Sequence, residues 1–196
     1  MWSAYPTTAN PMVEAREKMN IVSFLEEVRG TAEPDKQMLL DVLSGVLAHE
    51  QGVGTLYWHY TQQTESRELK EKWQQFGKET EVHRRIAERV ISALGGDPSY
   101  KSPAARDHER IRDCFSSIES HGFAGDHVRL GNLVMAENIS KLLWKGMYKV
   151  ARSVKDPSMA KIFWDASRIV ERDKEEHVNW NTTMYESYLE KLSLGM

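Results

Sequence analysis

The chain has 196 residues and a formal net charge of −3, a balance that gives no electrostatic reason to expect nucleic acid or an anionic membrane as partner. Cys114 is the single cysteine, which excludes an internal disulfide and points to a reducing cytoplasm. No apolar run is long enough to span a bilayer, and Met1-Trp2-Ser3-Ala4-Tyr5-Pro6 lacks the basic region and apolar run of a signal peptide.

In chain order, Asn10-Pro11 caps and starts a predicted helix to about Arg29, with Val13, Ile21, Phe24, Leu25 and Val28 as its apolar residues and Gly30 as its stop. Residues 1–34 are read as an N-terminal extension, and 35–192 as one domain. The first main helix is predicted over 35–63, where Leu39, Leu43, Val46, Val53 and Tyr57 recur at spacings of three and four. Glu50 interrupts that stripe. Thr64-Glu65-Ser66 turns the chain into a second helix, predicted over 67–94, with Leu69, Trp73, Phe76, His83, Ile86, Val90 and Leu94 on its inner face. Gly95-Gly96 and Asp97-Pro98 end it.

A long connection follows, 95–126, with a short helix from Pro103 to about Glu119 capped by Ser102. Cys114 there reads as a small apolar filler. The third main helix, 127–154, carries Leu130, Leu133, Ser140, Trp144, Met147 and Ala151, again interrupted by one acid, Glu137. Asp156-Pro157 caps the fourth, 157–192, whose inward residues include Phe163, Ala166, Val170, Asp173, His177, Trp180 and Met184. His49, His59, His108, His121 and His127 show no partner pattern and are read as surface or loop residues. Tyr57, Trp144 and Trp180 are read as core packing.

Two stretches stand out: Glu79-Thr80-Glu81-Val82-His83 and Asp173-Lys174-Glu175-Glu176-His177. Each puts an acid four residues before a histidine, on one helical face. In an antiparallel hairpin, residues equidistant from the turn share a level. The midpoint between Glu50 and the first stretch falls on Thr64-Glu65-Ser66, and that between Glu137 and the second falls on Asp156-Pro157. Each lone glutamate is therefore expected to meet its acid-histidine pair at one level. Four carboxylates buried together repel strongly. Two divalent cations would neutralise them, and this oxygen-nitrogen donor set suits iron or manganese better than zinc.

These residues resemble the ferritin-like superfamily of di-iron and di-manganese carboxylate proteins, in its rubrerythrin-like branch. There, two helices each give a Glu and two each give Glu-x-x-His, in a bundle with a long crossover. The resemblance implies an all-α antiparallel four-helix bundle, with the crossover between the second and third main helices and the N-terminal helix as an addition. It implies Glu50 and Glu137 as terminal or bridging ligands, His83 and His177 as nitrogen ligands, and Glu79 and Asp173 as bridging carboxylates, with Glu176 as the alternative to Asp173. The acid-to-histidine spacing here is four where the family has three; the residues at minus three are Thr80 and Lys174.

The expected function is a non-haem di-metal oxidoreductase reacting with O₂ or peroxide. Without a cysteine set for a second iron site, electrons would come from a separate donor. The alternative is a metal-poor ferritin-like bundle, serving as a stress-response or assembly protein, in which lysines such as Lys174 or Lys141 balance the carboxylates. The N-terminal helix is a candidate homodimer contact.

Overall fold

Capping residues define where the helices begin. In the computed structural model, which describes residues 35–117 and 121–195, the side chains of Asp35, Ser66, Ser102 and Asp156 each accept from a backbone N–H two or three residues on. The helices they start are α1 (Lys36–Gln63), α2 (Arg67–Ala93), α3 (Pro103–Ser116) and α5 (Pro157–Ser193); α4 (Gly122–Ser153) starts without a side-chain cap. Pro103 and Pro157 sit in first turns, where a missing N–H costs nothing. Gly95, at φ +71°, closes α2, and the Gly95 and Gly96 N–H groups return to the Ser92 and Ile91 carbonyls at 2.9 Å. The predicted helix over 10–29 lies outside the described residues.

α1 and α2 form one antiparallel hairpin and α4 and α5 the other; α1 packs on α4 and α2 on α5. The crossover between α2 and α4 runs along α1 and contains α3. Gly45 on α1 lets it come close: a Cβ there would stand 3.1 Å from the Ala104 Cβ. The Ser44 hydroxyl donates to the Tyr100 carbonyl at 2.7 Å, and the Ser102 hydroxyl to the Asp41 carbonyl at 2.8 Å.

Two apolar clusters fill the bundle. One holds Leu43, Val46 and Leu47 of α1 with Val90, Trp144, Met147, Phe163 and Val170. The other holds Val53, Leu56 and Tyr57 of α1 with Trp73, Phe76, Leu130, Leu133 and Tyr188. Between them lies a fully enclosed polar layer of Glu50, Thr80, His83, Glu137, Ser140, Lys174 and His177.

Three sequence expectations are corrected here. α4 begins at Gly122 rather than 127, because its first turns are held by burial: Asp126 accepts from the Thr64 hydroxyl and from Arg129, each at 2.8 Å, and both Asp126 and Arg129 are buried. Cys114 is exposed, not a filler. His49 is buried, its Nδ1 3.2 Å from the His108 Nδ1 and its Nε2 donating to the Ala136 carbonyl at 2.9 Å; α3 covers it.

That histidine pair generates a pH dependence. Burial lowers the pKa of both rings, with the His108 ring adding to the effect on His49 and the Glu50 carboxylate opposing it. The unfolded chain therefore takes up these protons more readily than the folded one. Stability from this pair is complete above the ordinary histidine value of about 6.5 and declines as pH falls through it. Urea midpoints measured from pH 7.5 down to 5.5 should drop, and His108→Ala should flatten the slope; an unchanged slope would assign the titration elsewhere.

Candidate metal centre

The four bundle helices each place side chains at the polar layer. α1 supplies Glu50, α4 supplies Glu137, α2 supplies His83 and α5 supplies His177, all at most 1% exposed. The level matching expected from the two turns is therefore met. What lies between the glutamates is Lys174. Its Nζ stands 2.9 Å from Glu50 Oε2 and 2.9 Å from Glu137 Oε2, as ion pairs lying off hydrogen-bond alignment.

Each glutamate is fixed through its other oxygen by donors from the opposite hairpin. Glu50 Oε1 accepts from the Ser140 hydroxyl and, at 2.9 Å, from the Trp144 indole. Glu137 Oε1 accepts from the Tyr57 hydroxyl at 2.8 Å and faces His177 Nδ1 at 2.9 Å. The Tyr57 hydroxyl in turn accepts from Asn181 at 3.0 Å. Burial raises the Tyr57 pKa well above the ordinary tyrosine value, and Glu137 adds to it, so Tyr57 stays a proton donor.

The histidines are held across the hairpins as well. His177 of α5 meets Glu79 of α2 through Nε2 at 2.7 Å, and His83 of α2 meets Asp173 of α5 through Nε2 at 3.1 Å. His83 Nδ1 points inward, 3.8 Å from Glu50 Oε2, with no hydrogen-bond partner.

Electrostatics follow from the lysine. Burial alone would raise the Glu137 carboxyl; Lys174 and His177 outweigh it and bring the value to about 2. Glu50 is likewise pushed up by burial and pulled well below the carboxylate range by Lys174 and His83. Burial opposes charge on Lys174, but Glu137 and Glu50 more than offset it and raise its pKa. The three groups are ionised together.

Set against the sequence expectations, Glu50, Glu137, His83 and His177 converge. Glu79 and Asp173 are partly exposed and sit on the outer, Nε2 side of the rings, not between the glutamates. Glu176 lies on the exposed surface, paired with Lys72 at 2.8 Å. Lys141 pairs there with Glu175. The inward positions on α2 and α5 are Thr80 and Lys174, three residues before each histidine, and both are 0% exposed. The inward face thus follows the three-residue spacing, with a hydroxyl and an ammonium where carboxylates were sought.

Among the described residues, no three His, Cys, Asp or Glu side chains are already gathered as a metal-binding set, since Lys174 stands among the inner donors. Even so, Glu50 Oε2, Glu137 Oε2, Thr80 Oγ1 and His83 Nδ1 are buried without a hydrogen-bond partner. Glu50 Oε2 and Glu137 Oε2, each 2.9 Å from the Lys174 Nζ, would fit one metal ion in place of the ammonium, with His83 Nδ1 3.8 Å from the first; the inward positions of α2 and α5 offer no second pair of carboxylates.

No family model and no curated protein matches the chain. Solved structures do. One is the bacterioferritin-related protein from Bacteroides fragilis, a dodecameric thioferritin, with a TM-score of 0.65 and 16% identity over 84% of this chain and 93% of that one. Another is the DPS protein from Vibrio cholerae O1, a member of a broad superfamily of ferritin-like diiron-carboxylate proteins, with a TM-score of 0.58 and 18% identity over 79% and 90% of the two chains. The chain has the ferritin-like fold, and the resemblance seen in its sequence holds at that level.

Lys174→Met removes the ammonium and leaves two enclosed carboxylates without a counter-charge. We expect a loss of about 3–5 kcal/mol in urea unfolding of metal-free protein. Adding Glu137→Gln should recover part of it. A loss under about 1 kcal/mol, the size of an exposed ion pair, would mean the lysine is not balancing the layer.

Proposed function

We propose that this chain is a metal-binding ferritin-like protein in which one transition-metal ion and the Lys174 ammonium compete for the same buried place. Glu50, Glu137, His83 and His177 would hold the ion. The observation that carries this reading is the pair of histidines pointing Nδ1 inward while their Nε2 atoms face Asp173 and Glu79. A carboxylate on the outer nitrogen fixes the ring and its tautomer and leaves the inner nitrogen as the ligand, which is how metal-bound imidazoles are oriented. Carboxylate oxygen with imidazole nitrogen suits iron first and manganese second.

A bound iron would supply redox chemistry toward O₂ or peroxide. The protein's own part is positional. Ser140 and Trp144 hold Glu50, Tyr57 holds Glu137, and the two apolar clusters above and below exclude water. The sequence given has no cysteine set for a further iron site, so electrons would come from a separate donor. No helix among the described residues is long and apolar enough to cross a membrane; with a single cysteine, we place the protein in the cytoplasm. Association of copies belongs to the same reading, and light scattering tests it.

A second reading keeps the centre metal-free, as an internally neutralised bundle with a structural or stress-response role. Lys174 favours it, because its 2.9 Å contacts to both glutamates already supply a cation.

Metal analysis of protein expressed with iron and manganese separates the two. The first reading expects about one ion per chain, a melting temperature lowered by chelator, and loss of metal in Glu137→Ala. Lys174→Glu should raise the content roughly twofold, since it restores a carboxylate at the inward position. No metal after reconstitution, with melting indifferent to chelator, would leave the second reading.

A further inference from the structure

The outer face between α1 and α2 carries a groove of about 620 Å³, lined by Gly54, Trp58, Thr61, Trp73, Gly77 and Lys78. A hollow of about 370 Å³ continues it, shares Gly54, Trp58 and Gly77, and reaches Glu50. From Glu50 to Thr61 the path follows eleven residues of α1, or ~16 Å at 1.5 Å per residue. Two glycines line it; a Cβ on Gly77 would stand 3.3 Å from the Tyr57 Cβ of α1. A Cβ on Gly54 would meet only the Thr80 methyl, at 3.8 Å, so an alanine fits there, but it takes up space in the groove.

The lining is not a bare apolar strip. The Trp58 indole is 67% exposed and forms a wall, with Val82 at 49% beside the rim. Thr61 lines the groove; it is 1% exposed and its buried hydroxyl has no hydrogen-bond partner. Glu50 Oε2, at the inner end of the path, faces the Lys174 ammonium at 2.9 Å. On the rim, Arg84 and Arg85 are paired with Glu81, and Arg84 also with Glu88. Lys78 is exposed and makes no ion pair among the described residues. The rim therefore keeps a surplus positive charge at Lys78. The volume lies within the range of small-molecule sites, which are apolar with a few placed polar groups.

We propose that this groove binds a small planar apolar molecule bearing one carboxylate. The ring stacks on Trp58 over the Gly54 and Gly77 floor, the carboxylate pairs with Lys78, and the path leads the molecule toward Glu50. Binding of this kind requires no metal, so it stands or falls separately from the metal reading.

The test is calorimetric titration of the full chain with 2-naphthoate, beside neutral 2-naphthalenemethanol, while following the Trp58 indole N–H by NMR. Saturable binding of naphthoate that shifts the Trp58 signal is expected. Trp58→Ala should weaken it about tenfold; Lys78→Glu should do the same for naphthoate and leave the neutral analogue within about twofold. Both residues are exposed, and circular dichroism checks that each variant keeps its helices. Gly54→Ala should also weaken binding. Absence of saturable binding, indifference to Trp58→Ala, or equal binding of acid and alcohol would overturn the proposal. So would a Trp58 shift that tracks protein concentration instead of naphthoate, since a second copy would then occupy the groove.

Discussion

A lysine ammonium enclosed between two carboxylates is the interaction on which this bundle turns. Isolated charges at this depth would be costly, since desolvation of each ion exceeds what a single contact returns. Three ionised groups are tolerated because each is bound more than once. The Glu50 and Glu137 carboxylates each give one oxygen to Lys174 and the other to fixed donors. The lysine is threaded through the helix interface, so its four-carbon stem is buried with the apolar residues while its head meets both acids. The polar layer also divides the core into its two apolar clusters. A one-turn slip of either hairpin would strand the ammonium among hydrocarbon, so the layer penalises that register.

Beside the Glu137 contacts to His177 and Lys174 within the second hairpin, each half is held by donors and acceptors of the other. Tyr57 of the first hairpin holds Glu137 of the second, while Ser140 and Trp144 of the second hold Glu50 of the first. Glu79 holds His177, and Asp173 holds His83. Each half thus completes the other half's site. A separate hairpin would leave its glutamate and histidine without their outer partners. The groove and the centre are related in place: the hollow lined by Gly54 and Gly77 on the outer face of the first hairpin also reaches Glu50.

Much of the fold was legible in the chain because caps and stripes are local. Ser66, Ser102 and Asp156 cap where their side chains indicate, and most of the apolar residues at three-and-four spacing are buried, with Ile86, Trp180 and Met184 half-buried. The level of Glu50 and Glu137 was legible too, because turn position fixes it. The rotation of α2 and α5 was not. Adjacent residues differ by about 100° around a helix, and a buried lysine is so rare that composition favours Asp173 over Lys174 as the inward residue. Only packing against three other helices decides this, and it turns Lys174 in. His49 was misread for a related reason. Its burial depends on α3 lying across α1, and a crossover's path leaves no period in the sequence. Asn181, which ties Tyr57 to Trp73, carries no signal that separates it from any helical asparagine.

The charge in the layer also bears on how many metal ions it can take. Glu50 and Glu137 contribute two negative charges, and Lys174 one positive. The His177 ring has carboxylates at both nitrogens, at 2.9 and 2.7 Å, and its inner partner, Glu137, is also the partner of Lys174. On the proposed reading, a divalent ion would take the place of the ammonium, with the His177 Nδ1 among its ligands. A second divalent ion would find no further inner carboxylate, since Thr80 is neutral and Glu79 and Asp173 face outward. On the proposed reading, the Thr80 hydroxyl and the Lys174 ammonium at the two inward positions leave only the Glu50 and Glu137 carboxylates inside the layer, enough to balance one divalent ion in place of the lysine.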